Sequence, residues 1–468
     1  MRATSIWIRR VAALSALAVL LLGCEAPAPE IDIEKQRQLE ALGYVTTVPV
    51  TEGHRARGGV TRYVRRLARD GLNLFNSREQ AVARLMDMEG RELHRWSSEE
   101  TGKALKRFRE MLPSFLPGYL LGWNHVELLG GGDLLVIATH HMLLRLDRLS
   151  NVVWKLDISA HHDVAIGPDG NIFVLVDGVR TTELDGRPVA FQDDLILIVT
   201  PLGKVAGELS LFDAFSDTEW DGAIEARLAA IEKTIPERLE QFREAPSAPD
   251  RERMEAARIF EAATRGEYEG VEDVVNILFH TDAQDIFHAN SIQVLERDNP
   301  GLWRRGDLMI SVRELDIVAV IDHESGKVIW TWGEGELEGQ HHATWLGDGT
   351  VLVFDNGTRR HYSRIVKLDP HRRQIVWEYR GTRKSPFFSA ARGGCQELGN
   401  GNVLIAETDT GRAFEVTPGG EIVWEFYTEI LEQGEGDAAR GALYRMTRID
   451  PADVAGWLGR ETVRASGH

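Results

Sequence analysis

Short apolar runs alternate with turn-forming residues along most of the chain, a pattern typical of short strands. A turn, two or three β-forming residues and a tryptophan recur together at Trp96, Trp154, Trp330, Trp377 and Trp424. A degenerate sixth copy, Pro201 to Gly207, has glycine in the tryptophan position. The six copies are separated by 58, 53, 123, 47 and 47 residues. This self-similarity indicates a repeat architecture.

A glycine-containing turn followed by an apolar strand accompanies most of these copies. The examples are Gly131 to Ile137, Pro168 to Val174, Gly306 to Ile310, Gly349 to Val353 and Gly401 to Ile405. Asp-Gly and Asn-Gly pairs accept the positive φ of tight hairpins, so each unit contains several short antiparallel strands. Four-stranded units that repeat about every 40–50 residues are typical of propeller blades. The sequence therefore predicts an all-β protein, a six-bladed β-propeller.

The longest interval between copies is predicted to hold a helical insertion between blades, at about residues 212–275. Within it, Ala223 to Lys233 and Arg251 to Ala263 are rich in strong helix formers. The insertion would be either a lid or interaction arm, or a solvated decoration. The propeller itself is predicted to span residues 61–448, with residues 449–468 as a C-terminal tail. Its ring would be closed by strands from Leu72 to Asp87 and from Ala442 to Arg448.

The N-terminal residues 1–23 have the features of a lipoprotein signal peptide. Arg9 and Arg10 precede an apolar run of twelve residues, Val11 to Leu22, which is too short to span a bilayer comfortably. The following Leu21-Leu22-Gly23-Cys24 resembles a bacterial lipobox, which implies cleavage before Cys24 and acylation of this residue. An ordinary signal peptide with an incidental cysteine is the alternative.

Residues 24–60 are predicted to be a tether or N-terminal extension. By resemblance to other lipoproteins, Glu25 after Cys24 favours the outer membrane. The prediction is thus a periplasmic protein that contacts the membrane only through its lipid anchor. Cys395 is the other cysteine of the chain, so no intramolecular disulfide is expected.

Composition narrows the range of partners. The 468-residue chain is 43% hydrophobic, which is typical of a globular protein, and has a formal net charge of −18. So acidic a chain argues against nucleic-acid binding and against electrostatic adhesion to anionic lipid. The net charge neither favours nor excludes small anionic substrates, because a positively charged pocket can oppose the negative electrostatic field of the whole protein. The oligomeric state is left open, with a homodimer as one option.

Histidines recur just before the glycine-rich turns, where the innermost strand of each blade would face the central channel. Successive copies contain His125, then His161-His162-Asp163, then His288-Ala289-Asn290-Ser291, then Gln340-His341-His342. We therefore expect histidines at one structural position in four consecutive blades, forming a ring. His140 and His141 lie past their turn and are interpreted as structural.

Two kinds of chemistry fit such a ring. Neutral imidazoles suit zinc, copper or iron, but no carboxylate or thiolate pattern accompanies them beyond Asp163. The alternative is anion chemistry, with one histidine as nucleophile and an arginine to clamp a tetrahedral oxyanion. Arg313 is the candidate, since it follows Met309 to Val312 in an apolar strand. Its other interpretation is an outward salt bridge with a neighbouring acid.

At these residues the sequence resembles the bacterial arylsulfate sulfotransferase family. The matching stretches are His161-His162-Asp163-Val164, His288-Ala289-Asn290-Ser291, Ser311-Val312-Arg313, Gln340-His341-His342-Ala343 and Leu352 to Gly357. The similarity extends from about Gly71 to Arg448. It implies a six-bladed propeller that moves a sulfuryl group from a phenolic sulfate ester to a phenolic acceptor, independently of PAPS.

The resemblance also implies roles for individual residues. His341 would be the nucleophile that becomes transiently sulfated. His162, His288, Asn290 and Arg313 would bind the sulfuryl oxygens and assist the leaving group. His125 and His342 are added as substrate-binding candidates because they share the histidine pattern. No cofactor and no metal are expected.

One departure from the family leaves the nucleophile open. The family often has an acidic residue after the nucleophilic histidine, whereas this chain has His342. The register between His341 and His342 is therefore unsettled at the sequence level.

Three other functions are weighed against the transferase. An aryl sulfatase would use water in place of the phenol. A non-catalytic propeller lipoprotein would act as an envelope scaffold or binding module, although a scaffold needs no imidazoles in its channel. A quinone-dependent redox propeller is disfavoured by the blade count and the lack of vicinal cysteines.

Overall fold

The computed structural model describes most of the chain that follows the predicted leader and tether. The described residues are 47–49, 58–77, 81–99, 101–103, 123–244, 250–267, 275, 284–383, 385–432 and 438–459. The predicted signal peptide, its Cys24 and most of the predicted tether lie outside these ranges.

The first half of the chain contributes two short outer strands and three blades. β1 is Thr47–Pro49 and β2 is Gly59–Tyr63; blade 1 begins with β3 (Leu72–Ser77), β4 (Val82–Met86) and β5 (Glu92–Ser97). Blade 2 contains β6 (His125–Leu128), β7 (Leu134–Ala138), β8 (Met142–Leu146) and β9 (Val152–Leu156). Blade 3 contains β10 (Ala160–Ile166), β11 (Ile172–Leu184), β12 (Arg187–Val199) and β13 (Val205–Ser210).

Three further blades follow a helical segment. The helices are α1 (Leu211–Phe215), α2 (Asp221–Glu244) and α3 (Asp250–Ala263). Blade 4 contains β14 (Ala289–Val294), β15 (Leu308–Val312), β16 (Ile317–Ile321) and β17 (Val328–Trp332). Blade 5 contains β18 (His341–Trp345), β19 (Val351–Asp355), β20 (Arg364–Asp369) and β21 (Gln374–Arg380). Blade 6 contains β22 (Gly394–Glu397), β23 (Val403–Glu407), β24 (Arg412–Val416) and β25 (Ile422–Tyr427). The last elements are β26 (Ile430–Glu432), β27 (Ala438–Gly441), β28 (Leu443–Ile449) and α4 (Pro451–Leu458).

Each blade is an antiparallel sheet, and in blades 2 to 5 the four strands pair in chain order. The six sheets form a six-bladed β-propeller. The predicted fold class is thus confirmed. The second strands, such as β7, β19 and β23, are buried along their whole length. A strand that is covered on both faces reads as a continuous apolar run, which is why these segments stand out in the sequence.

Both ends of the chain close the ring. β28 pairs with β3, so blade 1 is built from the first strands of the propeller and its last strand, as the sequence predicted. β2 adds a fifth strand to the outer edge of blade 6. This strand lies at the end of the segment predicted to be a tether, and α4 lies in the predicted tail. Trp457 of α4 packs against Gly132, so the tail also belongs to the folded body.

The repeated tryptophans lie on the outer strands and join neighbouring blades. Four of the five indole N–H groups donate to turn carbonyls of the next blade, whereas that of Trp330 is buried and has no hydrogen-bond partner among the described residues. The pairs are Trp96 to Gly132 at 2.9 Å, Trp154 to Pro201 at 3.1 Å, Trp377 to Pro418 at 3.0 Å and Trp424 to Met88 at 2.9 Å. The last pair joins blade 6 to blade 1. In the degenerate copy, Gly207 lies on β13, so blade 3 offers no such bond to blade 4.

The helical insertion occupies the junction between blades 3 and 4. Trp220, Ile224 and Leu228 of the α2 region are buried in one apolar cluster with Phe287 and residues of both blades. Arg227 of α2 donates to Glu314 Oε2 at 2.8 Å, next to the predicted site residue Arg313. The insertion is thus packed against the rim of the ring rather than projecting freely from it.

Candidate active site in the central channel

The inner strands place equivalent residues around the channel. In blades 2 to 6, the third residue of the second strand pairs with Val126, Val164, Ile292, Ala343 and Cys395. We define a first layer as the residues two positions before these five in the sequence, namely Asn124, His162, Asn290, His341 and Gly393. Counting one residue back gives a second layer, His125, Asp163, Ser291, His342 and Gly394.

Strand β28 supplies the remaining member of each layer. The Tyr444 ring lies 6.1 Å from the His162 ring, between centroids, and therefore belongs to the first layer. Arg445 packs closely on Gly394: a Cβ added to this glycine would lie 2.6 Å from Arg445 Cγ. Arg445 therefore belongs to the second layer.

The contacts divide the predicted ring of histidines into two groups. His162 and His341 lie close together, whereas His125 contacts Asp163 and His342 contacts the Cys395 backbone. His288 precedes β14 and belongs to neither layer, although its ring lies 5.0 Å from that of His162. The inner strands of blades 3, 4 and 5 each contain a β-bulge at these positions, whereas the inner strand of blade 2 pairs regularly. Equal positions in the sequence therefore do not place the histidine side chains equally.

His341 has a defined tautomer. Its Nδ1 lies 2.9 Å from Asn356 Oδ1 and 3.1 Å from the Gly339 carbonyl oxygen, so Nδ1 must carry the proton. The Asn356 amide cannot be reversed, since its Nδ2 donates to the carbonyls of Ser389 at 2.7 Å and Arg392 at 2.9 Å. The lone pair is therefore on His341 Nε2. This atom is buried and has no hydrogen-bond partner in the described part of the chain.

The surroundings keep His341 neutral. Burial, the charge of Arg313 and the proximity of His288 hold the pKa of His341 well below its usual value, although the hydrogen bond that His341 donates to Asn356 acts to raise it. A neutral imidazole with a free lone pair at Nε2 is a nucleophile across the physiological pH range.

Two other rings converge on His341. The His162 ring lies 6.4 Å from the His341 ring, between centroids. His288 is held by Asp285, whose carboxylate accepts from His288 Nδ1 at 2.5 Å and from the His288 backbone N–H at 2.8 Å. The predicted residues His162, His288 and His341 are thus brought together.

Asn290 and Arg313 border the same space. Asn290 Nδ2 donates to the Gln340 carbonyl at 2.8 Å and the whole side chain is buried. Arg313 is not in a strand as predicted: β15 ends at Val312, and Arg313 begins a short 3₁₀ turn. It donates to Glu314 Oε1 at 2.8 Å, the neighbouring-acid contact considered from the sequence. Its charge nevertheless acts to lower the pKa of His341.

A buried polar group lies behind His162. His161 Nδ1 lies 2.9 Å from His162 Nδ1, and His161 Nε2 lies 3.1 Å from Asp194 Oδ1. Asp177 pairs directly opposite Asp194 across β11 and β12, and accepts from His140 Nδ1 at 2.5 Å.

This group was missed in the sequence, where His140 was interpreted as structural and His161 received no role. The available signal was an aspartate at the end of the apolar run Phe173 to Val176, and another directly before the run Leu195 to Val199.

The polar group behind His162 is best described as hydrogen-bonded acids and imidazoles. Ligand atoms of His161, Asp177 and Asp194 lie within 4.8 Å of one another, a spacing that a metal ion also tolerates. The contact of His161 Nε2 with Asp194 Oδ1, at 3.1 Å, is an ion-pair contact. Burial acts to lower the pKa of His161, but the carboxylates of Asp177 and Asp194 outweigh it and raise this pKa to about 9.

Second-layer residues form a separate polar cluster, called the polar plug below, that includes His125, Asp163, His342 and Arg445. Arg445 donates to Asp163 Oδ1 at 2.6 Å, while Asp163 Oδ2 accepts from the Ile292 backbone N–H at 3.0 Å. His125 Nε2 lies 3.4 Å from the same carboxylate. Burial and the charge of Arg445 lower the pKa of His125 to about 3.

His342 also belongs to this plug rather than to the His341 group. Its Nδ1 accepts from the Cys395 backbone N–H at 2.9 Å. His125, His342 and Arg445 line a cavity of about 210 Å³, and His341 is not among its lining residues. The two candidate substrate-binding histidines thus share this cavity with Arg445.

The sequence comparison decides the family. The profile of the arylsulfotransferase (ASST) family matches residues 125–429, which include every first- and second-layer residue of blades 2 to 6 except Asn124. The chain belongs to the arylsulfotransferase family. Membership supports aryl sulfotransferase activity in general and small aryl compounds as substrates. No functionally curated protein matches the chain.

Solved structures resemble this arylsulfotransferase only loosely. A protein of unknown function from Bacteroides caccae is 13% identical, with 81% of this chain and 99% of that chain covered and a TM-score of 0.44. A streptogramin B lyase is 12% identical, with 86% and 97% covered and a TM-score of 0.40. BamB from Moraxella catarrhalis is 9% identical, with 85% and 100% covered and a TM-score of 0.31. Likenesses at this level carry no argument about function.

Within the residues that the structure describes, no helix combines the length and the apolar character needed to span a bilayer.

Proposed function

We propose that this arylsulfotransferase moves a sulfuryl group from an aryl sulfate ester to a phenol through a sulfated His341. The observation that carries the proposal is the state of His341: Nδ1 is held as a donor by Asn356, and the buried Nε2 keeps an unused lone pair. In the alternative position, His342 Nδ1 is occupied by the Cys395 backbone N–H, and the ring lies in the second layer.

In the first half of the reaction, His341 Nε2 attacks the sulfur of the ester. A bond forms between Nε2 and sulfur while the bond from sulfur to the aryl oxygen breaks, and the electron pair leaves with this oxygen. By analogy with phosphoryl transfer, negative charge spreads over the peripheral oxygens in a loose transition state. Arg313 and the second amide hydrogen of Asn290 are fixed donors near that charge, and preorganised donors of this kind lower the barrier.

The leaving phenolate needs a proton, and His162 is the proposed source. Its ring lies between those of His288 and His341, within reach of a group bound to His341. A histidine in this place can give its proton to the departing oxygen and later take one from the acceptor phenol.

In the second half, the acceptor phenolate attacks sulfur and the bond to Nε2 breaks. His341 retains the Nδ1 proton throughout, because Asn356 Oδ1 and the Gly339 carbonyl accept it. The group expelled from sulfur is therefore neutral imidazole and not an imidazolate. This makes the covalent intermediate labile enough to pass its sulfuryl group onward.

The decisive experiment is an assay of the full chain with a chromogenic aryl sulfate, with and without added phenol. We expect phenol-dependent release of the chromophore, and a mass increase of one sulfuryl group on His341 when the acceptor is withheld. His341→Ala abolishes both, whereas His342→Ala still forms the adduct. Adduct formation that is lost only in His342→Ala would contradict the assignment of the nucleophile.

The same assay separates the alternatives. Release that does not depend on phenol would indicate an aryl sulfatase, with water as the acceptor at the same sulfated histidine. No turnover of any aryl ester, together with no adduct, would favour a scaffold or binding module.

The proposed location is the periplasm, with the lipid of Cys24 anchored in the outer membrane. It follows from residues 1–25 of the sequence, and it stays a prediction.

A further inference from the structure

The buried pair Asp177 and Asp194 presents an electrostatic problem. The two residues are direct cross-strand partners of β11 and β12, and both are almost fully buried. Like charges in directly opposed positions destabilise a sheet, and burial makes their repulsion stronger. His161 is the basic group that faces both, with Nε2 at 3.1 Å from Asp194 Oδ1 and 3.6 Å from Asp177 Oδ1.

Two arrangements of protons pair His161 with an ionised Asp194. An ion pair with this carboxylate, at 3.1 Å, places a proton on His161 Nε2. The 2.9 Å contact between His161 Nδ1 and His162 Nδ1 requires one more proton, on either ring. His161 is therefore a cation that donates to His162, or a neutral ring that accepts from it.

The opposed carboxylates favour the cation. An imidazolium between Asp177 and Asp194 offsets part of their repulsion, whereas a neutral ring would leave it uncompensated. The pKa of His161, which these carboxylates raise to about 9 against the effect of burial, agrees with this assignment. With His161 as donor, His162 Nδ1 carries a lone pair, and neutral His162 has its proton on Nε2.

We propose that Asp194, His161 and His162 form a proton relay, in which His161 keeps the Nε2 proton on His162 and replaces it when His162 protonates the departing phenolate. This relay rests on the proposed function, because it supplies the acid of that reaction. His161 and Asp194 act through His162 and are positioning residues.

The proton balance of the relay closes. As the bond from sulfur to the aryl oxygen breaks, the Nε2 proton of His162 moves to this oxygen. The Nδ1 proton of His161 moves to His162 Nδ1, which leaves His161 neutral, with its remaining proton on Nε2 beside Asp194. When the acceptor phenol gives its proton to His162 Nε2, both shifts reverse and His161 is again a cation.

Other charged and titratable groups surround this relay from each neighbouring element. Asp177 is held by His140, whose ring stacks on that of His161 with centroids 6.1 Å apart. Asp285, which binds His288, also acts to raise the pKa of His161. All three carboxylates act to raise the pKa of His161. Burial raises the pKa of Asp194 and so works against its ionised form, while His161 acts to lower it.

The kinetic test uses aryl sulfates whose leaving groups differ in basicity. We expect Asp194→Asn and His161→Asn to lower kcat about a hundredfold for phenyl sulfate, whose basic phenolate needs the acid. With 4-nitrophenyl sulfate, a far better leaving group, the loss is small, so the dependence of kcat on leaving-group pKa becomes steeper. KM changes little, since neither residue touches the substrate.

Asp193→Asn is the matched control. Asp193 is the adjacent residue of β12 and is equally buried, but its carboxylate accepts from Ser210 Oγ at 2.5 Å and from the Phe212 backbone N–H at 3.0 Å. Its substitution leaves the leaving-group dependence unchanged, whatever it does to stability. The relay is overturned if Asp194→Asn slows all esters equally, or slows none.

A second measurement does not depend on turnover. Nitrogen-15 NMR of the histidine-labelled full chain reports which ring nitrogens carry protons, and His161→Asn assigns the signal of His161. We expect an imidazolium at His161 and an Nε2-protonated neutral ring at His162. A neutral His161 at pH 7 would overturn the relay, as would one equivalent of tightly bound metal, because His161 Nε2 would then be a ligand. If the wild type turned over no aryl sulfate, the proposed function would fail while this arrangement of protons could still be established.

Discussion

Asn356 accepts from His341 through its oxygen while its nitrogen donates to the Ser389 and Arg392 carbonyls. An asparagine in this place holds the imidazole without adding charge. A carboxylate there would stabilise the imidazolium, raise the pKa of His341 and remove the lone pair at moderately acidic pH. An amide at position 356, in place of a carboxylate, thus keeps His341, the proposed nucleophile, unprotonated as pH falls.

This argument predicts the pH dependence of the first half-reaction. Because the pKa of His341 lies well below 6.5, the wild-type rate shows no acid limb near this pH. Toward high pH, the rate with phenyl sulfate falls as pH rises through about 9, where His161 loses its proton. In Asn356→Asp, an acid limb appears because the raised pKa of His341 brings protonation into the measured range. Stopped-flow measurement of adduct formation between pH 5 and 10 tests this, with melting curves to confirm folding. An Asn356→Asp profile that stays flat on the acid side would contradict the role given to Asn356.

Helix α2 reaches the site through one side chain. Arg227 donates to Glu314, which also accepts from Arg313 at 2.8 Å. Glu314 is therefore shared between an arginine of the insertion and an arginine of the site. Both arginines act to lower the pKa of Glu314 against the effect of burial, so the acid is ionised and its charge matters to each.

Removing Arg227 should weaken binding of aryl sulfates. In Arg227→Ala, the full charge of Glu314 falls on Arg313 and reduces the attraction of Arg313 for a sulfuryl oxygen. We expect kcat/KM to fall about fivefold, mainly through KM, as for the loss of a partly exposed ion pair. Arg187→Ala is the control, because Arg187 binds Glu232 of the same helix at 3.1 Å in an exposed pair. An equal loss in both variants would mean that the helix and not the contact to Glu314 is responsible.

Blade number could be predicted from the sequence because each blade is specified locally, by a turn, an apolar strand and a tryptophan. The group of contacts to which each histidine belongs could not be predicted in this way. His162 and His342 have φ of +52° and +48°, and each lies where the inner strand shifts register against its neighbour. Such a bulge moves the following side chains by one position, and nothing in the residue spacing marks it. Asp177 and Asp194 escaped notice for a different reason, since they lie on the second and third strands of blade 3 and only inner strands suggested a channel site.

The ring is held together by contacts between its first and last blades as well as by strand pairing. Trp424 of blade 6 is fully buried and donates to the Met88 carbonyl in blade 1, next to the sheet that joins β28 to β3. Trp377 makes the corresponding bond to Pro418 between blades 5 and 6, but in a more exposed position. Trp424 and Trp377 therefore make the same type of hydrogen bond, one buried and one partly exposed to solvent.

Trp424→Phe should destabilise the protein more than Trp377→Phe. Losing the Trp424 indole leaves a buried carbonyl without its donor, at a cost of about 1–3 kcal/mol, while water can replace the Trp377 bond. Denaturant unfolding of the two variants and the wild type measures the difference in free energy of unfolding. Equal losses would show that the closing junction is no more sensitive than the others.

The contact between Asp163 and Arg445 has a consequence for the order of events at His341. It joins blade 3 to blade 1 across the channel, and both side chains are buried. We therefore expect aryl compounds to reach His341 from the side away from the second layer. The phenol released from the donor and the acceptor phenol would then bind in turn at the same place.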